Sequence, residues 1–242
     1  MNSEIDKMEE ECGVFGVYTK SEATVIHHMF YGLFALQHRG QESAGVSISK
    51  DGKLKTHKAM GLVSHVLDDK TMATLEGNVA IGHVRYSTCG DSNVNNAQPL
   101  EGHCKLGQLA IAHNGTLTNA KIVRELLEET GAVFQSTIDS EVILSLTSRK
   151  ASKGLEQAIV DAINMIQGAY AIVMTVEGKL VGIRDPHGIR PLCLGELKEG
   201  EYVLSSESCG LDAVGAKFLR DIAPGEMVII DETGLKSIKY AE

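Results

Sequence analysis

The stretch Cys12-Gly13-Val14-Phe15-Gly16-Val17-Tyr18 mixes apolar and small residues without a break, a pattern that suits a buried strand. It follows the acidic segment MNSEIDKMEEE, residues 1–11, which has neither the basic start nor the apolar core of a secretion signal. Two readings of its first residue compete. In one, residues 1–11 are an acidic tail and Cys12 is a small buried residue. In the other, the Glu11–Cys12 bond is cut and Cys12 gains a free α-amine beside its thiol. An α-amine titrates near ~8 and a thiol near ~8.5, so one terminal residue can carry both a nucleophile and its base.

Outward from this stretch, residues 22–38 place Val25, Ile26, Met29, Phe30, Leu33, Phe34 and Leu36 on one stripe at helical period, with Thr19 and Glu22 set to cap its start. Residues 43–49 (SAGVSIS), Asp51-Gly52 and 53–58 read as a hairpin. Residues 79–86 and 107–113 predict two more strands, the second ending at His113-Asn114-Gly115. Between them RYSTCGDSNVNNAQP, residues 85–99, is a loop of lid-like length and composition. Helices are expected at 118–130, 139–150 and 155–167. A β-rich segment then covers 170–239, punctuated at Glu177-Gly178, Asp185-Pro186, Glu199-Gly200, Pro224-Gly225 and Thr233-Gly234. Such short spacings favour antiparallel pairing. The expectation is one α+β domain, two sheets with helices outside them.

The 242 residues are 43% apolar and 23% charged, ordinary for a globular domain. A net charge of −9 with no Lys/Arg cluster argues against nucleic acid as a partner. No apolar run approaches the ~18 residues of a membrane helix, so a soluble protein is expected. Five cysteines at irregular spacing make an odd set, which fits reduced thiols in a cytoplasmic protein better than a disulfide framework. No C-x-x-C and no finger-like spacing occurs, so no metal site is expected.

Four strings sit where functional groups concentrate: Gln37-His38-Arg39-Gly40-Gln41, His83-Val84-Arg85-Tyr86-Ser87-Thr88, His113-Asn114-Gly115 and Ile138-Asp139-Ser140-Glu141. A thiol that cleaves an amide needs oxyanion donors, which Asn114 and the Gly115 N–H can supply. A substrate carboxylate calls for an arginine such as Arg85, and a substrate ammonium for a carboxylate such as Asp139. Together they describe a site for glutamine. Each has a plainer alternative: Asn114-Gly115 as a tight turn, Asp139 as a helix cap, Arg39 as a helix C-terminal cation, Arg85 as a solvated strand end, and His38, His83 and His113 as packed structural histidines.

The strings CGVFG, LQHRGQESAG, GLVSHV, IGHVRYST, AQPL, AHNGTLTNA, DSE, GAYA, RDPHGIRPL, SSES and FLRDIAPGE run in order over nearly all of residues 12–241. In them the chain closely resembles the N-terminal glutaminase half of the amidophosphoribosyltransferase family. QHRGQ with HVRYST separates this family from the hexosamine- and asparagine-synthesising amidotransferases, the runner-up reading. A non-enzymatic regulatory module with an uncut leader is the other alternative.

The resemblance implies a four-layer αββα N-terminal-nucleophile hydrolase sandwich over 12–242, behind a propeptide at 1–11 that is removed to expose Cys12. By the same resemblance Asn114 and Gly115 form the oxyanion hole, Arg85 holds the glutamine carboxylate and Asp139 its ammonium. Tyr86 and Thr88 lie in the glutamine-closing loop, where Cys89 is a departure, and Arg39 and Gly40 order the terminal cysteine. A phosphoribosyltransferase domain is the implied partner and is absent from this sequence, since Asp68-Asp69 follows no apolar strand. No cofactor is expected of this chain. The full-length family uses magnesium in the missing domain, some members carry a [4Fe-4S] cluster, and homo-oligomers are implied.

Overall fold

In the computed structural model, which describes residues 12–22, 24–86 and 92–241, the opening stretch supplies strand β1 (Gly13–Tyr18), with strands on both sides of it. Its side chains alternate as a pleated strand requires. Phe15 and Val17 pack into one apolar cluster, Val14 and Tyr18 into another, and all four are buried.

In chain order there follow α1 (Val25–Ala35), β2 (Ser43–Lys50), β3 (Lys53–Met60), α2 (Val63–Val66), α3 (Asp69–Met72), β4 (Val79–Arg85), β5 (Leu100–Cys104) and β6 (Gly107–Leu117). Three helices, α4 (Ala120–Glu129), α5 (Ser140–Lys150) and α6 (Leu155–Ile163), lead to β7 (Gly168–Val176), β8 (Lys179–Arg184), β9 (Cys193–Lys198) and β10 (Glu201–Ser205). The described chain closes with α7 (Ser208–Ala213), β11 (Lys217–Asp221), β12 (Glu226–Asp231) and β13 (Gly234–Lys239). One sheet has the order β11-β9-β10-β1-β4-β2-β3 and the other β13-β12-β8-β7-β6-β5. Pairing is antiparallel throughout.

The sheets stack through Val14, Tyr18, Val79 and Ile81 of the first against Ala110, Ala112, Ala171 and Val173 of the second. On the far side of the first sheet, Val25, Met29 and Leu33 of α1 cover Phe15, Val17, Val46 and Ile48. On the far side of the second, α4, α5 and α6 bring Val123, Ile143 and Ile159 onto Leu109, Ile111 and Ile172. Each such fully buried side chain contributes about 1.5–3 kcal/mol, which is what holds helices this short. The outcome is the four-layer αββα sandwich.

Several boundaries differ from expectation. The 22–38 helix runs only from Val25 to Ala35. The N–H of Leu36 is shared between Gly32 and Leu33 carbonyls, tightening the chain into a 3-10 turn over Gln37–Arg39. Thr19 and Glu22 form no cap: Thr24 occupies that position without a side-chain bond to the helix, its hydroxyl and that of Thr19 both donating to the Ser21 carbonyl. Of the proposed stripe Phe34 is exposed. Helix α6 stops at Ile163 rather than 167, because the Gln167 N–H is taken by the Asn119 side chain as the chain turns into β7. Within 85–99, residues 87–91 lie outside the described residues, Val94–Asn96 form a 3-10 turn, and β5 follows at once. The five punctuation pairs of the β-rich segment all fall at strand junctions, but α7 among them carried no signal. No helix among the described residues is long and apolar enough to cross a membrane.

Candidate active site

Cys12 is held on two sides by one residue. Its N–H donates to the Arg39 carbonyl at 3.0 Å, and the Arg39 Nε donates to the Cys12 carbonyl at 2.7 Å. Arg39 is 1% exposed, and its Nη1 is hydrogen-bonded to Glu207 Oε1. The 3-10 turn that ended α1 early is thus the element that swings Arg39 inward. Cys12 has φ 59, a left-handed conformation that costs an ordinary residue about 1–2 kcal/mol. Its Sγ lies 3.5 Å from the Tyr86 N–H and 3.7 Å from the Tyr86 carbonyl, at the open end of β4.

Arg85, the last residue of β4, is buried and ion-paired with Glu42 Oε1 at 3.0 Å. The backbone supports the pair, since Glu42 N–H donates to the Arg85 carbonyl at 3.0 Å. Gly40 lies flat against this strand. A Cβ there would sit 2.6–2.8 Å from backbone atoms of Val84 and Arg85, so only glycine allows the turn to approach.

β6 contributes the other half. It continues to Leu117 rather than ending at His113, so Asn114-Gly115 is no tight turn. Asn114 pairs with Ala171 and Gly115 with Tyr170 on β7. The Asn114 side chain is fully buried, and among the described residues neither its Oδ1 nor its Nδ2 has a hydrogen-bond partner. Buried carboxamides are nearly always satisfied, so one without a partner marks a place for a ligand atom. Gly115 has φ 144, open to glycine alone. Glu42 Oε2, just before β2, and Ser43 Oγ, His83 Nδ1 and His113 Nε2, on β2, β4 and β6, are likewise buried without partners among the described residues.

Asp139 stands at the N-cap position of α5 but makes no side-chain cap bond of the usual kind. Its Oδ2 accepts from the Leu117 N–H at 2.8 Å, and its Oδ1 stands 3.6 Å from His113 Nδ1. Burial pushes this carboxyl up, but the charge of and hydrogen bond from His113, with N–H groups of Leu117 and Ser140, outweigh it and hold the group below the ordinary carboxylate value. His113 Nδ1 also meets Ser140 Oγ at 3.0 Å.

The two sheets are tied together at this end. His83 Nε2 on β4 donates to the His113 carbonyl on β6 at 3.1 Å, and Gln98 bonds both the carbonyl and the N–H of His113. His83 is fully buried, and burial holds its pKa down to about 3. Between about pH 3 and 6.5 the unfolded chain therefore binds a proton that the folded one refuses, so stability rises with pH across that window. His83→Gln, which keeps a donor for the bridge, flattens that rise by up to one proton. Chemical denaturation at several pH values between 3 and 6.5 measures it.

Cys12, Arg39, Gly40, Arg85 and Tyr86 therefore gather at the β1–β4 end, and His83 carries the assembly across to Asn114, Gly115 and Asp139. Thr88 lies outside the described residues, as does Cys89. Sequence reasoning missed Glu42 and Glu207, the carboxylates that hold the two arginines, and gave Ser140 and Gln98 no role, while His113 is the packed, hydrogen-bonded histidine of its plainer reading. The only signal for Glu207 was its place in the SSES string.

A family model described as "Glutamine amidotransferase domain" matches residues 49–225. The chain belongs to that family. This glutamine amidotransferase domain is 46% identical over 242 residues to an amidophosphoribosyltransferase of Synechococcus elongatus, covering 98% of this chain and 49% of that protein. It is 45% identical over 232 residues to the chloroplastic amidophosphoribosyltransferase 2 of Arabidopsis thaliana, covering 96% and 41%. Its structure superposes with a TM-score of 0.88 on the glutamine phosphoribosylpyrophosphate amidotransferase of B. subtilis complexed with ADP and GMP, at 40% identity, covering 95% of this chain and 49% of that one. The amidotransferase domain thus spans about two fifths to half the length of these relatives.

Proposed function

We propose that this domain hydrolyses glutamine to glutamate and ammonia at a Cys12 freed by cleavage after Glu11, as the glutaminase half of an amidophosphoribosyltransferase. The observation that carries the reading is the buried Asn114 carboxamide, without a hydrogen-bond partner among the described residues, on the strand that His83 ties to the sheet whose β1 follows a cysteine clamped by Arg39. Cleavage removes the Cys12 φ torsion altogether, and with it the left-handed strain. The α-amine takes the thiol proton, and Sγ attacks the side-chain amide carbon. The oxyanion is received by Asn114 and the Gly115 N–H. The amine returns the proton to the departing ammonia, and water resolves the γ-glutamyl thioester. Arg85, fixed by Glu42, takes the substrate carboxylate, and Asp139, fixed by Leu117 and His113, its ammonium. Tyr86 and Thr88 belong to the segment that closes over the substrate.

The ammonia would pass to a phosphoribosyltransferase half for phosphoribosylamine formation in purine synthesis, in a homo-oligomeric cytoplasmic enzyme. Magnesium and an iron–sulfur cluster belong to that other half in the family. The described residues do not fit either group. Their one cluster of three potential ligands, His38, Glu207 and Cys209, holds a single cysteine and a single carboxylate.

A glutaminase assay on protein whose intact mass begins at Cys12 tests the reading. Expected is release of glutamate and ammonia, abolished by a glutamine-mimicking alkylator that labels Cys12 once per chain, while protein retaining residues 1–11 stays inactive. Correctly processed protein that neither turns over glutamine nor takes the label defeats it.

A further inference from the structure

Glu207 faces two ways. Its Oε1 serves Arg39, while its Oε2 lies 3.1 Å from His38 Nε2 and 3.5 Å from Cys209 Sγ. The ligand atoms of these three residues all fall within 4.8 Å of one another. His38 comes from the 3-10 turn after α1, and Glu207 and Cys209 from the junction of β10 with α7, so sequence spacing hides the cluster.

The hydrogen positions follow from elementary chemistry. His38 Nδ1 sits 3.0 Å from the Ala35 carbonyl, which can only accept, so Nδ1 carries the hydrogen. In a neutral ring Nε2 is then a bare lone pair, directed at carboxylate oxygens 3.1 and 3.3 Å away. Two acceptors do not hold such a contact unaided. A second proton on the ring or a metal ion between them turns the contact into an attraction. Cys209 Sγ converges on the same oxygen, and a mixed nitrogen, oxygen and sulfur set suits Zn²⁺. Around a tetrahedral ion with bonds of about 2.0–2.3 Å, ligand atoms stand about 3.3–3.8 Å apart, close to the spacings of 3.1 and 3.5 Å here.

We propose that His38 Nε2, Glu207 Oε2 and Cys209 Sγ bind a borderline-soft divalent cation of the Zn²⁺ class, with water in the fourth position. The Ala35 carbonyl on Nδ1 and Arg39 on Oε1 take the supporting roles that outer partners of metal ligands take. Binding replaces the Cys209 S–H bond by a sulfur–metal bond and releases that proton to solvent. The resulting thiolate and the carboxylate together balance the dication, leaving Arg39 free to keep its hold on Cys12. His38 is 55% exposed at its side chain, so the cation enters from solvent.

The test uses Co²⁺ as probe on the full chain carrying Cys12→Ala, because a terminal cysteine with its own α-amine chelates metals. Expected is one Co²⁺ per chain with a thiolate-to-cobalt charge-transfer absorption, bleached when Zn²⁺ displaces it. Adding Cys209→Ser removes the band, and adding His38→Gln weakens binding by about 10- to 100-fold or more. Both added substitutions are at partly exposed positions, and Zn²⁺ should raise the melting temperature of the Cys12→Ala chain but not of the Cys209→Ser variant. No saturable Co²⁺ binding, or a band that survives Cys209→Ser, overturns the proposal. Neither result depends on whether glutamine is hydrolysed.

Discussion

Asn114→Ala is expected to cut glutamine turnover by about 10²–10³-fold in kcat with little change in KM, the usual cost of deleting one oxyanion donor. Its physical interest lies in the second half of the expectation. Most buried polar side chains stabilise through their hydrogen bonds, so truncating them leaves a partner stranded. Here both polar atoms of the carboxamide are buried and without a partner among the described residues, and removing them strands none of those. The desolvation cost that Asn114 imposes on folding disappears with it, and the small cavity left behind offsets part of that gain. The melting temperature should therefore stay level or rise while catalysis collapses. Steady-state kinetics and a thermal melt on the same preparation check both parts. A variant that turns over glutamine as fast as the parent removes Asn114 from the oxyanion site, and one that melts well below the parent shows that the carboxamide has a structural partner after all.

That trade-off explains which features could be read from the chain and which could not. The strands were legible because alternation is a local property: Phe15 and Val17 against Val14 and Tyr18 announce two covered faces without reference to any partner. The proposed glutamine-binding set was a reading of chemistry, since few groupings of Cys, Arg, Asn and Asp suit an α-amino acid with a side-chain amide. What sequence could not resolve was the competition between a residue's local habit and its tertiary use. Asn-Gly habitually turns, yet β7 supplies a full ladder for Asn114 and Gly115, and pairing on that side overrides the turn. Asp before a helix habitually caps it, yet the Leu117 N–H and His113 claim Asp139 instead. The helical stripe of α1 suggested continuity to residue 38, but burying Arg39 against Cys12 requires the tighter 3-10 path. Glu42 and Glu207 lay beyond local reading for a related reason. Glu207 is given its role by an arginine far away in the chain, and Glu42 by the strand that β2 pairs with.

Gly115→Ala should be the most damaging single methyl group in the site. The residue sits at φ 144, and a Cβ would lie 2.0 Å from the Ala169 carbonyl oxygen on β7. Backbone at such an angle costs a residue with a side chain about 1–3 kcal/mol. Relieving the overlap means prising the β6–β7 ladder apart, at about 1–3 kcal/mol more. Against a typical stability of about 5–15 kcal/mol the total lowers the melting temperature on the order of 5–20 °C. Because the Gly115 N–H is also a proposed oxyanion donor, the molecules that do fold should turn over glutamine more slowly. Gly168→Ala separates the two effects. Gly168 faces Leu117 across the same ladder, at φ 137, and a Cβ there would meet the Thr116 carbonyl oxygen at 2.2 Å. It imposes a like strain on the same pair of strands but touches no proposed donor. Both variants should melt early, and at a temperature where each is folded only Gly115→Ala should show a depressed kcat. Equal kcat values in the two would make Gly115 a structural glycine alone, and a Gly115→Ala chain melting with the parent would mean that β6 does not run through this position as a strand.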